Sequence, residues 1–398
     1  MLKEWKSEKI GDFTSITSGG TPSTLIKEYW NGDIPWMNSG ELNNKKIYNV
    51  KGKITKLGYN NSSTHMIPKE CVLIGLAGQG KTRGTAAINY IELCINQSIG
   101  AIFPSKNILS KYLYFYMDYK YKELRELSSG DGGRGGLNLK LLNNFKIEYP
   151  KNIEEQNSIV NVLSNIDNLI DLLQETIEKK KKIRECTITS LFNPKNKKNK
   201  LIFLNQIGYT YSGLSGMNAS NFSSGNKRYI TFLNILNNPI VKENLFERFH
   251  CENIQNKVQK GDLFFNTSSE TPEEVAMCAT IDYDVENVYL NSFCFGFRII
   301  DKSVNNKYLT YFFRSQYGRN IMKTIAQGST RFNLPKEKFL NYKIQIPEDI
   351  NRQIEVTEIL SNMDNEIEKL NIKLNKYKLI KEGMMEDLLT GKVRLNYE

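Results

Sequence analysis

The sequence predicts an α+β fold: two mixed α/β globular domains joined by two long antiparallel helices forming a coiled coil, with a pseudo-two-fold internal repeat. Three observations predict it. First, residues 154–170 read EEQNSIVNVLSNIDNLI and residues 351–367 read NRQIEVTEILSNMDNEI, so that Gln156, Leu163 and Asp167 match Gln353, Leu360 and Asp364 at a constant offset of 353 − 156 = 197. Second, both copies carry a heptad seam. Ile159, Leu163, Ile166, Ile170, Leu173 and Ile177 step by four and three, as do Val356, Leu360, Met363, Ile367, Leu370 and Leu374. A stripe at that spacing is narrow for a globular core and suits a partner helix, the simplest partner being the other copy. Third, the approach to each helix is repeated, as Asn144-Phe145-Lys146-Ile147 to Pro150 and Asn341-Tyr342-Lys343-Ile344 to Pro347. The domains are therefore expected at 1–150 and 195–347, with a long helix at 151–194 and a second long helix with a C-terminal tail at 348–398. A helix of this length would run roughly 60 Å.

Taken in order, residues 1–150 read as short strands and turns. Ile10-Gly11 and Ser15 fall 197 positions before Ile207-Gly208 and Ser212. Gly32-Asp33-Ile34-Pro35-Trp36 reads as a turn leading into a strand. Cys71 to Ile74, Thr85 to Ile91 and Ile99 to Phe103 read as apolar strands, and residues 111–127 as an aromatic-rich helix. Gly130 to Gly136 is a glycine loop. The first long helix stops at Asn193-Pro194, and the polar run 195–200 reads as a linker. In the second half, 213–225 is loop-rich, Tyr229 to Leu233 and Leu263 to Phe265 read as strands, and Asn266 to Pro272 as a polar loop. Residues 308–325 fill the slot of 111–127, and Gln327 to Arg331 the slot of the glycine loop. Gly391 is placed to cap the second long helix.

Net charge is +11, from 54 Lys+Arg against 43 Asp+Glu, over 398 residues. That balance favours a polyanionic partner such as nucleic acid. The six cysteines show no close pairing, and the histidines are two, so a zinc site is not expected. The cysteines read as reduced, mostly buried residues of a cytoplasmic protein. No run approaches eighteen apolar residues and the start lacks an apolar core, so neither a membrane span nor an export signal is expected.

One motif suggests catalysis. Gly75 to Thr82 fits the phosphate-loop pattern GxxxxGK[ST] after a short strand, which would make the chain an NTPase. The pattern needs a helix starting at Lys81-Thr82, whereas Arg83 to Tyr90 reads as turn and strand. The two histidines, in different halves, match no triad, and no methyltransferase or nuclease signature is present. We therefore read a non-catalytic binding protein, with a coiled-coil scaffold lacking any nucleic-acid role as a further alternative. No cofactor is expected in the chain itself. Polar loop residues can read base edges in the major groove, Arg and Lys at guanine, Asn and Gln at adenine. The candidates are Gln79, Lys81, Arg83 and Arg134 in the first domain. In the second they are Ser268, Ser269, Gln327, Thr330 and Arg331. A stiff spacer between two such readers would recognise a split site with an unread gap.

With these elements in place the chain resembles the specificity subunits of type I restriction–modification systems. The residues carrying the likeness are Thr17-Ser18-Gly19-Gly20-Thr21-Pro22-Ser23, Tyr29-Trp30-Asn31-Gly32-Asp33-Ile34-Pro35-Trp36, and Leu137-Asn138-Leu139 through Pro150 to Glu154-Glu155-Gln156. Gly261-Asp262-Leu263-Phe264-Phe265-Asn266-Thr267-Ser268-Ser269-Glu270 and the ending Leu388-Leu389-Thr390-Gly391-Lys392-Val393-Arg394 add to it. Asn351-Arg352-Gln353 departs from the family's more usual Glu-Glu-Gln. The resemblance implies two target recognition domains that bind double-stranded DNA at a bipartite site, and no catalysis in this chain. It implies two modification subunits that carry S-adenosylmethionine and methylate adenine N6. It also implies two restriction subunits using ATP and Mg. The helices would set the spacer and help dock the modification subunits.

Overall fold

The computed structural model describes residues 4–78, 80–127, 136–192, 199–251 and 253–395. It divides into two compact units, one comprising 1–174 with 372–398 and the other 175–371. Each unit thus contains one globular domain with a part of each long helix.

In the first unit, strand Val72–Gly75 lies inside a five-stranded sheet, next to Ile99–Ile102 and Ala86–Asn89. Side chains alternate across a strand, and the burial follows that rule. Val72, Ile74, Ala86 and Ile88 face Tyr112, Leu113, Phe115 and Tyr116 of helix Ser110–Tyr119. Leu73 and Ala87 face the opposite way, toward Met37, Ile67, Leu93 and Ile95 of a four-stranded sheet. The second unit repeats this layering with other residues. Leu263 and Phe265 pack on Tyr308, Phe312 and Phe313, while Phe264 packs on Ile230, Val288 and Leu290.

The two expected aromatic helices each break in two, into Ser110–Tyr119 and Tyr121–Leu127, and into Asn306–Arg314 and Gln316–Ile325. At the second break the Ser315 hydroxyl accepts from Gly318 N, capping the following helix.

The long helices run Ile153–Leu191 and Ile350–Leu389. Their first turns do more than face a partner helix, because Ile159 and Leu163 join the core beneath the first domain, together with Met385, Leu388 and Leu389. Val356 and Leu360 join the second domain's core together with Ile188 and Phe192. The seam is therefore shared between domain and partner helix, contrary to the expectation that so narrow a stripe serves only the helix. The cause is that each helix begins directly after its approach strand.

The repeated polar residues are tethers. Gln156 is fully buried; its Nε2 donates to Asn107 O (3.0 Å) and Pro150 O (2.9 Å), and its Oε1 accepts from Leu109 N (2.9 Å). Gln353 does the same with Ser303 O, Pro347 O and Asn305 N. Within the first unit, Lys381 Nζ lies 2.6 Å from Asp167 Oδ1. Within the second, Arg184 clamps Asp364 through two bonds, one at 3.2 Å, and Lys180 lies 2.7 Å from Glu366. The ascending order 180, 184 meets the descending order 366, 364, so the two helices run antiparallel here. Each domain also reaches its helix with a lysine, Lys46 to Asp167 and Asp171, and Lys242 to Glu368. Burial opposes the Lys46 charge, yet Asp171 and Asp167 together hold its pKa above the ordinary lysine value. Tyr311 donates to Asp364 at 2.8 Å. Burial and then the Asp364 charge push the Tyr311 hydroxyl upward, so it stays a protonated donor.

Several local expectations change. Ile10 N donates to Phe145 O, and the residue doing the same to Tyr342 O is Leu204, not Ile207. The repeat offset here is 204 − 10 = 194, because strand pairing with the approach strand, not sequence, fixes the register. Gly32 lies inside strand Trp30–Met37, where the pairing register shifts between Trp30 and Ile34. Strand Phe222–Ile230 runs through part of the expected loop and then ends at Thr231, whose side chain accepts from Asn234 N. Phe232 and Leu233 therefore open a helix, Phe232–Asn237. Asn199 and Lys200 of the expected linker belong to strand Asn199–Phe203, while 193–198 lie outside the described residues. Cys186 is exposed and the other five cysteines are buried. Among the described residues, no helix is long and apolar enough to cross a membrane.

Candidate nucleic-acid interface

In the first domain the candidate loop, 76–85, joins strands Val72–Gly75 and Ala86–Asn89. It returns on itself: Gly84 N donates to Gly75 O (2.8 Å) and Gly75 N to Thr85 O (3.0 Å). A Cβ on Gly75 would sit 2.1 Å from Thr82 O, so glycine is required for this return. The motif's first glycine thus serves the hairpin, and where a phosphate loop needs its helix the chain makes a turn and then strand Ala86–Asn89. Lys81 is exposed and Arg83 half-buried. Tyr121 donates to Lys81 O (3.1 Å), and Arg125 Nη1 donates to Gly80 O (2.6 Å). Gln79 and Arg134 lie outside the described residues. Leu137 donates its N–H to Leu76 O (3.0 Å), so the described chain from 136 onward starts against this loop.

In the second domain the structure gathers the candidates. The polar loop contains a short strand, Ser268–Ser269, paired antiparallel with Phe332–Asn333. Gln327 and Asn333 exchange two backbone bonds (2.9 and 2.8 Å), closing a turn that holds Thr330 and Arg331 exposed. Gly328, at φ +123°, makes that turn possible. Arg331 Nη2 donates to Ser268 Oγ at 3.3 Å, and both line an open cavity of about 410 Å³. Ser268 and Ser269 are buried and line the cavity.

Sequence reasoning missed what holds these loops. Arg319 is buried on helix Gln316–Ile325 and donates to Ala276 O (3.0 Å), Glu273 O (3.0 Å) and Val275 O. Burial pulls its pKa down, but guanidinium stays charged at neutral pH. Arg125, on the corresponding helix of the first domain, holds loop carbonyls in the same way. An arginine donating to carbonyls leaves no sequence pattern beyond its presence after an aromatic helix. Arg319→Ala is expected to orphan three carbonyls and cost roughly 2–3 kcal/mol locally. Hydrogen exchange at Ala276 and Met277 should then accelerate strongly, whereas unchanged protection there would show that the guanidinium does not hold the loop.

Two unlike domains, each with an arginine-braced polar loop and each tethered to a long helix, define a duplicated two-domain protein. The sequence profile of the type I restriction modification DNA specificity domain matches twice, at residues 2–183 and 188–376, and the chain belongs to that family. The MjaIX specificity subunit of Methanocaldococcus jannaschii is 36% identical over 196 residues, covering 48% of this chain and 43% of that protein. The chain thus spans under half the length of that relative. The MjaVIII specificity subunit of the same organism is 23% identical over 427 residues, covering 99% and 94%. Among solved structures, the type I restriction–modification S subunit from M. genitalium superimposes with a TM-score of 0.61 at 15% identity, over 97% and 96% of the two chains. At that identity the likeness concerns the fold.

Proposed function

We propose that this chain is the DNA-specificity subunit of a type I restriction–modification assembly, each domain reading one half of a bipartite duplex site. The observation that carries the proposal is that one DNA-specificity domain occurs twice while the two loop sets differ: Lys81 and Arg83 in one, Ser268, Ser269, Gln327, Thr330 and Arg331 in the other. Gln79 and Arg134 belong to the same proposal for the first domain. The long helices set the unread spacer and help dock two modification subunits. Adenine-N6 methylation with S-adenosylmethionine, and ATP- and Mg-dependent cleavage by two restriction subunits, belong to the partners, in the cytoplasm. The target adenine is flipped into the partner's pocket.

The test uses the complex assembled with its modification subunits. Methylated adenines mapped in the host genome should define a split site. Arg83→Ala and Arg331→Ala should each relax sequence preference in one half only, by about 1–3 kcal/mol at the affected base pair. A loss uniform across sequences, with a shallower salt dependence, would reassign the residue to phosphate contact. Lys81-dependent ATP binding by the chain alone would favour the NTPase reading instead.

A further inference from the structure

The cavity beside Arg331 carries both signs of charge. Glu270 and Glu274 line it together with Arg331, Ser268, Ser269 and the half-exposed ring of Phe293. Their engagements differ. Glu274 accepts from Ser269 Oγ at 3.2 Å. Glu270 is exposed, and among the described residues no ion pair involves it or joins Arg331 to either glutamate. The neighbouring Glu273, by contrast, lies 3.0 Å from Lys323. A guanidinium and a carboxylate thus face one space without neutralising each other.

Such a pair suits a ligand with an acceptor edge beside a donor edge. On the surface of a chain with net charge +11, a carboxylate at a DNA contact is repelled by phosphates. It becomes favourable there where it accepts from a base amino group. In the major groove a G·C pair presents N7 and O6 of guanine as acceptors beside the N4 amino donor of cytosine. We propose that this cavity takes the major-groove edge of a G·C pair in the half-site of the second domain, Arg331 donating to guanine N7 and O6 and Glu270 accepting from cytosine N4. The inference rests on the DNA-recognition reading above and adds Glu270 as a specificity-determining residue.

The experiment selects sequences from a randomised duplex library with the full complex. Wild type should fix a G·C pair at one position of one half-site. Glu270→Gln should lose about tenfold or more of the discrimination at that position, with the rest of the site unchanged, and Arg331→Gln should relax the same position. If Glu270→Gln selects the wild-type site with equal stringency, or weakens every sequence alike, the inference falls while the parent reading stands. The same holds if the two variants act at different base pairs. If the wild-type complex enriches no sequence at all, the parent reading falls, and this inference with it.

Discussion

Replacing Phe339 by alanine is expected to destabilise the second unit by about 4 kcal/mol. Phe339 is fully buried on the short helix Lys336–Leu340, and its ring lies 4.9 Å from Phe265, 5.6 Å from Phe295, 5.5 Å from Phe297 and 5.9 Å from Phe313. The rings it joins come from strands Leu263–Asn266 and Cys294–Ile299 and from helix Asn306–Arg314. Truncation would leave a cavity where sheet and helix meet, and a stiff cluster of rings can collapse into it only partly. For a unit of this size the loss should lower its unfolding midpoint by on the order of 10 °C. Differential scanning calorimetry of the full chain, with exchange protection to assign the transition, checks this. Phe339→Leu, which keeps most of the volume, should cost far less; equal costs for the two variants would point to a backbone effect instead of packing.

The second large effect is expected at the two buried glutamines. Gln353→Ala removes two donors and one acceptor at once. The carbonyls of Ser303 and Pro347 and the amide of Asn305 then lose this partner. Each buried orphan costs about 1–3 kcal/mol, and some relax toward solvent, so we expect about 3 kcal/mol in total. The damage should be local, as faster exchange over the first turns of helix Ile350–Leu389 and over residues 303–305. Gln156→Ala should do the same at the start of helix Ile153–Leu191 and around Asn107 and Leu109. If exchange instead rises evenly along the helices, the glutamines are not tethers but ordinary packing residues.

The glutamines also show why part of the architecture was legible. A buried amide that must satisfy three backbone groups tolerates no substitute, so the match at 156 and 353 survives where surrounding residues differ. The seam is legible for a related reason, since burial between helices demands apolar residues at fixed steps. The register of the first strands was not legible. Trp5–Lys9 and Asn199–Phe203 are placed by backbone pairing, which makes few demands on side chains. Thr231 was overlooked as a cap because Tyr229 to Leu233 also satisfies a strand pattern. In the second domain, Arg331, Ser268 and Ser269 were singled out from residue type alone. Their meeting in one cavity depends on the pairing of Ser268–Ser269 with Phe332–Asn333, across more than sixty residues. Arg125 and Arg319 could not be found, because the loop groups they hold are carbonyls, which every residue has. Glu270 was passed over because acidic residues look unsuited to a polyanion until the neighbouring guanidinium is seen.

The inter-helix ion pairs carry an implication about assembly. In each helix an aspartate precedes a base by the same interval: 184 − 167 = 17 and 381 − 364 = 17. Asp167 bonds Lys381 and Asp364 bonds Arg184. A polypeptide with one repeat alone would therefore carry both the acid and the base that this contact needs. Two such half-length molecules could satisfy each other reciprocally, as self-complementary symmetric dimers do.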